Sequence, residues 1–283
     1  MRLVRFQSGG ATHIGAVEDG EILDLSAAGL PYATMLDLIG AGDAGLDAAR
    51  AAAGRASARI GLDRSLLRPP IEKPGKYLAI GMNYQKHLEE ADRLGVARSK
   101  HQVWFNKQTT CLNGPFDPVD PGVSEQLDYE VELGLVIGKP AKGVSADDAC
   151  SHIFGYFVAN DVSARDWQFH SPTFTMGKSF DTHGPIGPWI VTADEIADPQ
   201  NLDLRCYVNG ALRQSSNTAL MIHKVADQIA YLSTAFTLEA GDLIATGTPE
   251  GVGVGMEPQC FLQSGDVVRC EVEGIGTIEN TIL

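Results

Sequence analysis

The chain has 283 residues, 44% hydrophobic and 20% charged, which is the composition of an ordinary soluble globular protein able to bury a substantial core. Its 22 Lys and Arg against 36 Asp and Glu leave a net charge of −14. That balance argues against nucleic acid or an anionic membrane surface as partner, since both need clustered positive charge, and it means that an anionic substrate needs local help from a metal or from placed Arg and Lys.

No apolar run approaches a membrane span, and the first ten residues lack the apolar core of a signal peptide. Cys111, Cys150, Cys206, Cys260 and Cys270 are scattered, odd in number and without a C-x-x-C pair. They are expected to be reduced core residues of a cytosolic (cytoplasmic) protein, neither a zinc site nor a disulfide framework.

Residues 1–70 read as a small β-rich module with some helix. Leu3 to Phe6 and His13 to Val17 alternate as strands, and Asp19-Gly20 is a hairpin signal leading into Glu21 to Leu25. Two helices follow, a short one over Met35 to Ile39 and an Ala-rich one over Asp43 to Ala53, with Asp43 as N-cap and Gly54 as stop. Pro69, Pro70 and Pro74 mark the best boundary, which makes 71–283 the main domain. There, Lys76 to Ile80, Leu127 to Ile137, Ile153 to Ala159, Trp189 to Thr192, Leu202 to Val208, Leu243 to Thr246 and Val267 to Val272 read as strands. Leu220 to Phe236 keeps helical spacing, and 265–276 reads as a hairpin pair. The fold class is α+β, mostly β, and strands do not alternate with helices as a doubly wound fold requires.

Within Leu127 to Ile137, a period of two puts Asp128, Glu130 and Glu132 on one side and Leu127, Tyr129, Val131, Leu133, Leu135 and Ile137 on the other. Carboxylates on one strand face stand roughly 6.6 Å apart and raise one another's pKa unless positive charge lies among them. Such hard oxygen ligands suit Mg²⁺, Mn²⁺ or Ca²⁺ rather than Zn²⁺. The same pattern also fits a half-exposed strand with an acidic outer face.

Four further places carry candidate chemistry. His87 and Glu90 stand three apart, so on a helix the carboxylate can orient the imidazole as a general base; the plainer reading is an ordinary helix-surface pair. Asp161 follows the strand Ile153 to Ala159 and projects from its end, or else caps a polar turn. Lys178 is bracketed by Gly177 and small or apolar residues, although most lysines are simply solvated. Gly247 to Gly253 is a Gly-rich turn that lacks the Lys-Ser/Thr ending of a phosphate loop.

Taken in order, Gly81-Met82-Asn83-Tyr84 with His87 and Glu90, Phe105-Asn106-Lys107, Gly114-Pro115, Asp128 to Leu133, Asn160 to Asp166 with Gln168, Gly177-Lys178, Gly184 to Pro188, and Gly241-Asp242 through Thr246 to Gly253 resemble one family. The chain is similar to the fumarylacetoacetate hydrolase family over nearly all of its main domain. The resemblance implies a mixed β-sandwich and β-roll, a homodimer, and a divalent-metal site from Glu130, Glu132 and Asp161, occupied by Mg²⁺ with Mn²⁺ or Ca²⁺ as substitutes. It implies that Arg165, Gln168, Lys178 and Thr248 surround a small anionic dioxo-acid substrate, with His87 and Glu90 as a dyad on a lid and His87, Glu90 and Lys178 as the catalytic set. Lys107 matches a family lysine without an assigned role.

The activity implied is Mg²⁺-dependent hydrolysis of a carbon–carbon bond in a 2,4-dioxo acid, giving pyruvate and a second acid. The stretches Gln108-Thr109-Thr110 and Phe180 to Pro185 resemble bacterial members often labelled ureidoglycolate lyase, which implies hydrolysis of 2,4-diketo-3-deoxy-rhamnonate or -fuconate to pyruvate and lactate. An acylpyruvase, an oxaloacetate decarboxylase, and a relative that binds dioxo acids without turnover are the alternatives.

Overall fold

The computed structural model describes residues 1–283. The chain opens with a meander, β1 (Arg2–Ser8), β2 (Ala11–Glu18) and β3 (Glu21–Asp24), and Asp19 and Gly20 both take positive φ, 50° and 78°, at its second turn as a two-residue hairpin requires. Helices α1 (Met35–Gly40) and α2 (Asp43–Arg55) follow. Asp43 is the first residue inside α2 and Gly42 its cap, so the expected N-cap lies one residue late; the helix also runs through Gly54 to Arg55. Strands β4 (Arg59–Gly61), β5 (Leu67–Arg68) and β6 (Tyr77–Gly81), helix α3 (Gln85–Arg93), and strands β7 (Val103–Lys107), β8 (Leu112–Asn113), β9 (Leu127–Asp128) and β10 (Val131–Ile137) come next.

Two differences here shape the site. The single strand expected over Leu127 to Ile137 is two strands, because β9 pairs with Ser163–Ala164 in a separate ribbon while β10 pairs with Ile153–Asn160, and Tyr129 and Glu130 make the passage between them. Nor is its acidic face half-exposed, for every residue of β10 is buried. Leu133, Leu135 and Ile137 belong to a core cluster with residues of the small sheet, whereas Val136 belongs to a second cluster with residues of the N-terminal hairpin, α1 and α2. A strand with packing on both faces shows no polar side, apart from carboxylates that something else must satisfy.

The chain continues through α4 (Ala146–Ala149), β11 (Ile153–Asn160), β12 (Ser163–Ala164), α5 (Arg165–Gln168), α6 (Thr175–Lys178) and β13 (Gly184–Thr192). Strands β14 (Asp203–Val208) and β15 (Ala211–Asn217), helix α7 (Val225–Ala235), and strands β16 (Leu243–Ala245), β17 (Val267–Val272) and β18 (Gly276–Thr281) complete it. Helix α7 begins five residues later than its apolar spacing predicts. Thr218–Leu220 is a 3-10 turn, and Met221 and Ile222 are drawn away to pair with Tyr84 and with the carbonyl of Asn83.

The large sheet runs β4-β3-β2-β1-β13-β11-β10-β16-β6-β7, with β5 on β1 and β8 on β13; the small one runs β15-β14-β17-β18. The two pack as a sandwich around the larger core cluster. The mostly β architecture expected from the sequence is therefore the one found. The first 70 residues share the main sheet through β1, whose Arg2 and Leu3 oppose Val191 and Ile190 of β13. No helix is long and apolar enough to cross a membrane. None of the five cysteines is in a disulfide; Cys111, Cys206 and Cys270 are buried, but Cys150 and Cys260 lie exposed outside the sheets, contrary to the core placement expected for all five.

Candidate active site

Strands β10 and β11 lie side by side, so the residues at the start of β10 and just past the end of β11 meet. Glu130, Glu132 and Asp161 each place a carboxylate oxygen within 4.8 Å of the others, and all three are buried. Register explains it: Val131 opposes Asn160, the Asn160 side chain accepts the Glu130 N–H at 3.0 Å, and the Asp161 N–H donates to the Glu130 carbonyl at 2.9 Å.

Three basic side chains enter this cluster. Lys178 Nζ donates to Glu130 and to Asp161, 2.7 Å each. Lys107 Nζ donates to Asp161 at 2.5 Å and to the Lys178 carbonyl at 2.5 Å, which answers what this wholly buried lysine does: it holds a candidate metal ligand and the backbone of a candidate catalytic residue together. Arg165 donates through Nε to Asp128 at 2.8 Å, through Nη2 to Glu130 at 2.6 Å and through Nη1 to Gln168 at 2.9 Å. Four buried acids, Asp128, Glu130, Glu132 and Asp161, thus face three bases, Lys107, Arg165 and Lys178.

The remainder falls on Glu132, which accepts only the Gly247 N–H, at 2.7 Å. Burial, followed by repulsion from Asp161 and Glu130, pushes its carboxyl well above the ordinary range. Burial also opposes the charge of Glu130, but Lys178 and Arg165 outweigh it and hold that carboxyl down at about 2. A buried, all-carboxylate donor set with one unneutralised member fits a hard divalent cation held by Glu130, Glu132 and Asp161.

Opposite the cluster, α3 presents His87 and Glu90 toward the same cleft. His87 Nδ1 lies 3.1 Å from Glu90 Oε2, and Glu90 Oε1 accepts the Gly251 N–H at 2.9 Å. With its Nδ1–H directed at a carboxylate, the imidazole keeps Nε2 as a proton acceptor. The cleft measures 570 Å³ and is lined by His87, Glu90, Glu130, Arg165, Gln168, Lys178 and Thr248, all of them read from the sequence as site residues. Glu132 and Asp161 lie behind that lining, in contact with it through the Glu130 cluster. Thr248 Oγ1 donates to the Val131 carbonyl at 2.9 Å, which ties the cleft wall to β10.

One residue of the site carries no sequence signal, and the Gly-rich turn has a role its sequence does not state. Gln214, on β15 and in no motif, accepts the Val131 N–H at 3.0 Å and donates to Thr248 Oγ1 at 2.8 Å. The Gly-rich turn is no phosphate loop; its N–H groups serve the protein's own carboxylates. Gly247 serves Glu132, Gly251 serves Glu90, and Gly253 and Val254 serve Asp128, at 2.7, 2.9, 2.7 and 3.0 Å. The glycines at 247, 251 and 253 were the available signal.

Residues 76–283 match the family pattern described as the fumarylacetoacetate (FAA) hydrolase C-terminal. The chain belongs to the fumarylacetoacetate hydrolase family. An oxaloacetate tautomerase of Xenopus laevis, described as mitochondrial, is 42% identical over 100% of this chain and 90% of its own length. The solved structure of a fumarylacetoacetate hydrolase from Exiguobacterium antarcticum superposes with a TM-score of 0.86 at 38% identity, covering 100% of this chain and 99% of that one. A maleylpyruvate hydrolase from a Sphingobium species, solved with manganese(II) and pyruvate, has a TM-score of 0.82 at 33% identity over 100% and 99%. Family membership carries an enzymatic reading at the level of dioxo-acid hydrolases and isomerases. The deoxy sugar-acid subgroup expected from the sequence finds no support among these relatives.

Proposed function

We propose that this chain is a divalent-cation-dependent enzyme of small 2-oxo acids that moves a proton at the carbon next to the 2-oxo group, interconverting the keto and enol forms of oxaloacetate. One observation carries the reading: His87, with Nδ1 on Glu90, faces the buried Glu130–Glu132–Asp161 cluster across a single cleft. The oxaloacetate tautomerases that match this chain over its whole length supply the substrate class and favour oxaloacetate over a sugar acid.

Glu130, Glu132 and Asp161 would hold the cation, for which we propose Mg²⁺. When bound, it supplies Lewis acidity toward a substrate carboxylate and 2-oxygen. The chain's own residues do the rest. His87 Nε2 takes a proton from C3 as the 2-oxygen gains one, so composition is unchanged. Glu90 fixes the ring and balances its charge, and Lys178 and Arg165 keep positive charge beside the developing negative oxygen. Gln168 and Thr248 offer polar contacts along the wall.

A second reading is favoured by the cleft itself. A four-carbon diacid fills only a fraction of 570 Å³, and the outer lining includes Ile80, Leu94, Val96, Phe169 and Phe174. Arg165 and Lys178 are already paired with carboxylates, so a second substrate carboxylate meets no free Lys or Arg there. That suits an acylpyruvate with an apolar acyl group, where the same dyad would activate water for C3–C4 cleavage. A cytosolic homodimer completes the proposal.

The deciding experiment follows enol absorbance and pyruvate release from oxaloacetate, acetylpyruvate and 2,4-diketo-3-deoxy-rhamnonate, with Mg²⁺ and with chelator. We expect Mg²⁺-dependent tautomerisation of oxaloacetate that His87→Ala lowers by about 10²–10⁴-fold while oxalate binding persists. Pyruvate release from acetylpyruvate alone would replace this reading with the second. Oxalate binding without turnover on any substrate would leave a binding protein.

A further inference from the structure

Glu90 is the pivot of the dyad, and it is held from three sides. His87 takes one oxygen and the Gly251 N–H the other. The third side is Gly255, in the 3-10 turn Gly253–Gly255 at the end of the Gly-rich segment. A Cβ on Gly255 would stand 2.9 Å from Glu90 Cδ and 3.1 and 3.2 Å from its two oxygens. Gly255 is not at positive φ, so its backbone does not require glycine; only the approach of Glu90 does.

Glu90 has pocket space around it, but any retreat of its carboxylate stretches its bond to His87 or its bond to the Gly251 N–H. The neighbouring contact runs the same way: Lys86, one residue before His87, reaches Glu250 of the turn at 3.2 Å. Behind Glu90 lies a second pocket, of 290 Å³, with Arg93, Glu257 and Gln259 on its exposed rim. Gly255 lines that pocket too, at the point where the carboxylate backs onto it.

We propose that Gly255 is a positioning residue for the His87–Glu90 pair: its missing side chain is the notch in which the Glu90 carboxylate seats when it orients the imidazole. A side chain at 255 displaces Glu90 from Nδ1, whereas the N–H that serves Glu132 comes from Gly247, eight residues earlier in the turn. This inference rests on the proposed role of His87 as base, yet the notch itself can be read without turnover.

The test is Gly255→Ala, alone and with Glu90→Asp, whose shorter side chain draws the carboxylate back from the new methyl. Three measurements apply to each variant. Mg²⁺ and oxalate affinities by calorimetry are expected within about twofold of wild type. The exchange-protected His87 Nδ1–H resonance is expected in wild type, lost in Gly255→Ala and recovered in part in the double variant. kcat on the substrate that turns over is expected to fall about tenfold to a hundredfold in Gly255→Ala with KM little changed. The two changes together are expected to cost less than the sum of each alone.

An unchanged Nδ1–H signal in Gly255→Ala would overturn the proposal, as would a loss that Glu90→Asp never relieves. If wild type turns over none of the dioxo acids, the proposed activity fails, and the resonance alone still decides whether Gly255 seats Glu90.

Discussion

His183 is fully buried, stacked on Phe180, and donates Nε2–H to the Asp120 carbonyl at 2.9 Å while Nδ1 has no partner. Burial, then the nearby Lys107 charge, lowers its pKa from 6.5 to about 4. The unfolded chain therefore binds a proton near pH 6.5 that the folded chain refuses until about pH 4. Stability from this group is present above pH 6.5 and falls as pH drops across that window, by roughly 3 kcal/mol from the size of the shift. Urea unfolding at steps from pH 7 to 4 should show the decline, and His183→Gln should lessen its slope between the two values. An equal slope in the variant would assign the loss elsewhere. At this scale the sequence was informative where residue type and chemistry coincide, as at Glu130, Glu132, Asp161 and His87. It was silent on His183 and Gln214 and marked Lys107 without a role, because their importance comes from what burial makes them do: a histidine, a glutamine and a lysine look alike in sequence whether solvated or enclosed.

Among elements, β10 shows how a site is built into a core strand. Gly134 opposes Phe157 on β11, and a Cβ there would run into the Phe157 ring. Gly134→Ala should cost about 1–3 kcal/mol of stability as an overpacked core, measured as a lower denaturant midpoint, and Phe157→Leu in the same chain should recover part of it. No recovery would mean that the strain lies in the backbone. The alternation along Leu127 to Ile137 revealed which residues share a face, and that held through the break between β9 and β10. It could not reveal that both faces are covered, because a period of two specifies sides without saying what packs against them. The delayed start of α7 has the same origin: apolar spacing continues to Leu220, but the pairing of 221–222 with Asn83 and Tyr84 wins those residues for an extended path.

For the whole molecule, the N-terminal 70 residues are structural to the sheet that carries the site. Leu3, Leu23, Met35 and Leu38 share one buried cluster with Val136, Phe157 and Ile190, and the amino terminus bonds Thr192 Oγ1 at 2.6 Å. Removing residues 1–70 would uncover that cluster and leave β13 an open edge. The fragment 71–283 should therefore elute as aggregate and bind hydrophobic dye, and a monodisperse, cooperatively folding fragment would show that the two parts are independent. The sequence by itself determined the mostly β class, the order of the motifs, the ligand chemistry of the acidic stretch and the pairing of His87 with Glu90, because these depend on residue type and on spacings of two or three along the chain. Only the tertiary structure decided how Asp161, which the family resemblance had already grouped with Glu130 and Glu132, is brought beside them, that Glu132 is the carboxylate left without a base, and that the Gly-rich turn feeds its N–H groups to Asp128, Glu132 and Glu90. Those contacts join residues thirty to more than a hundred and sixty positions apart, and strand register across a folded sheet, rather than any local pattern, sets which of them meet.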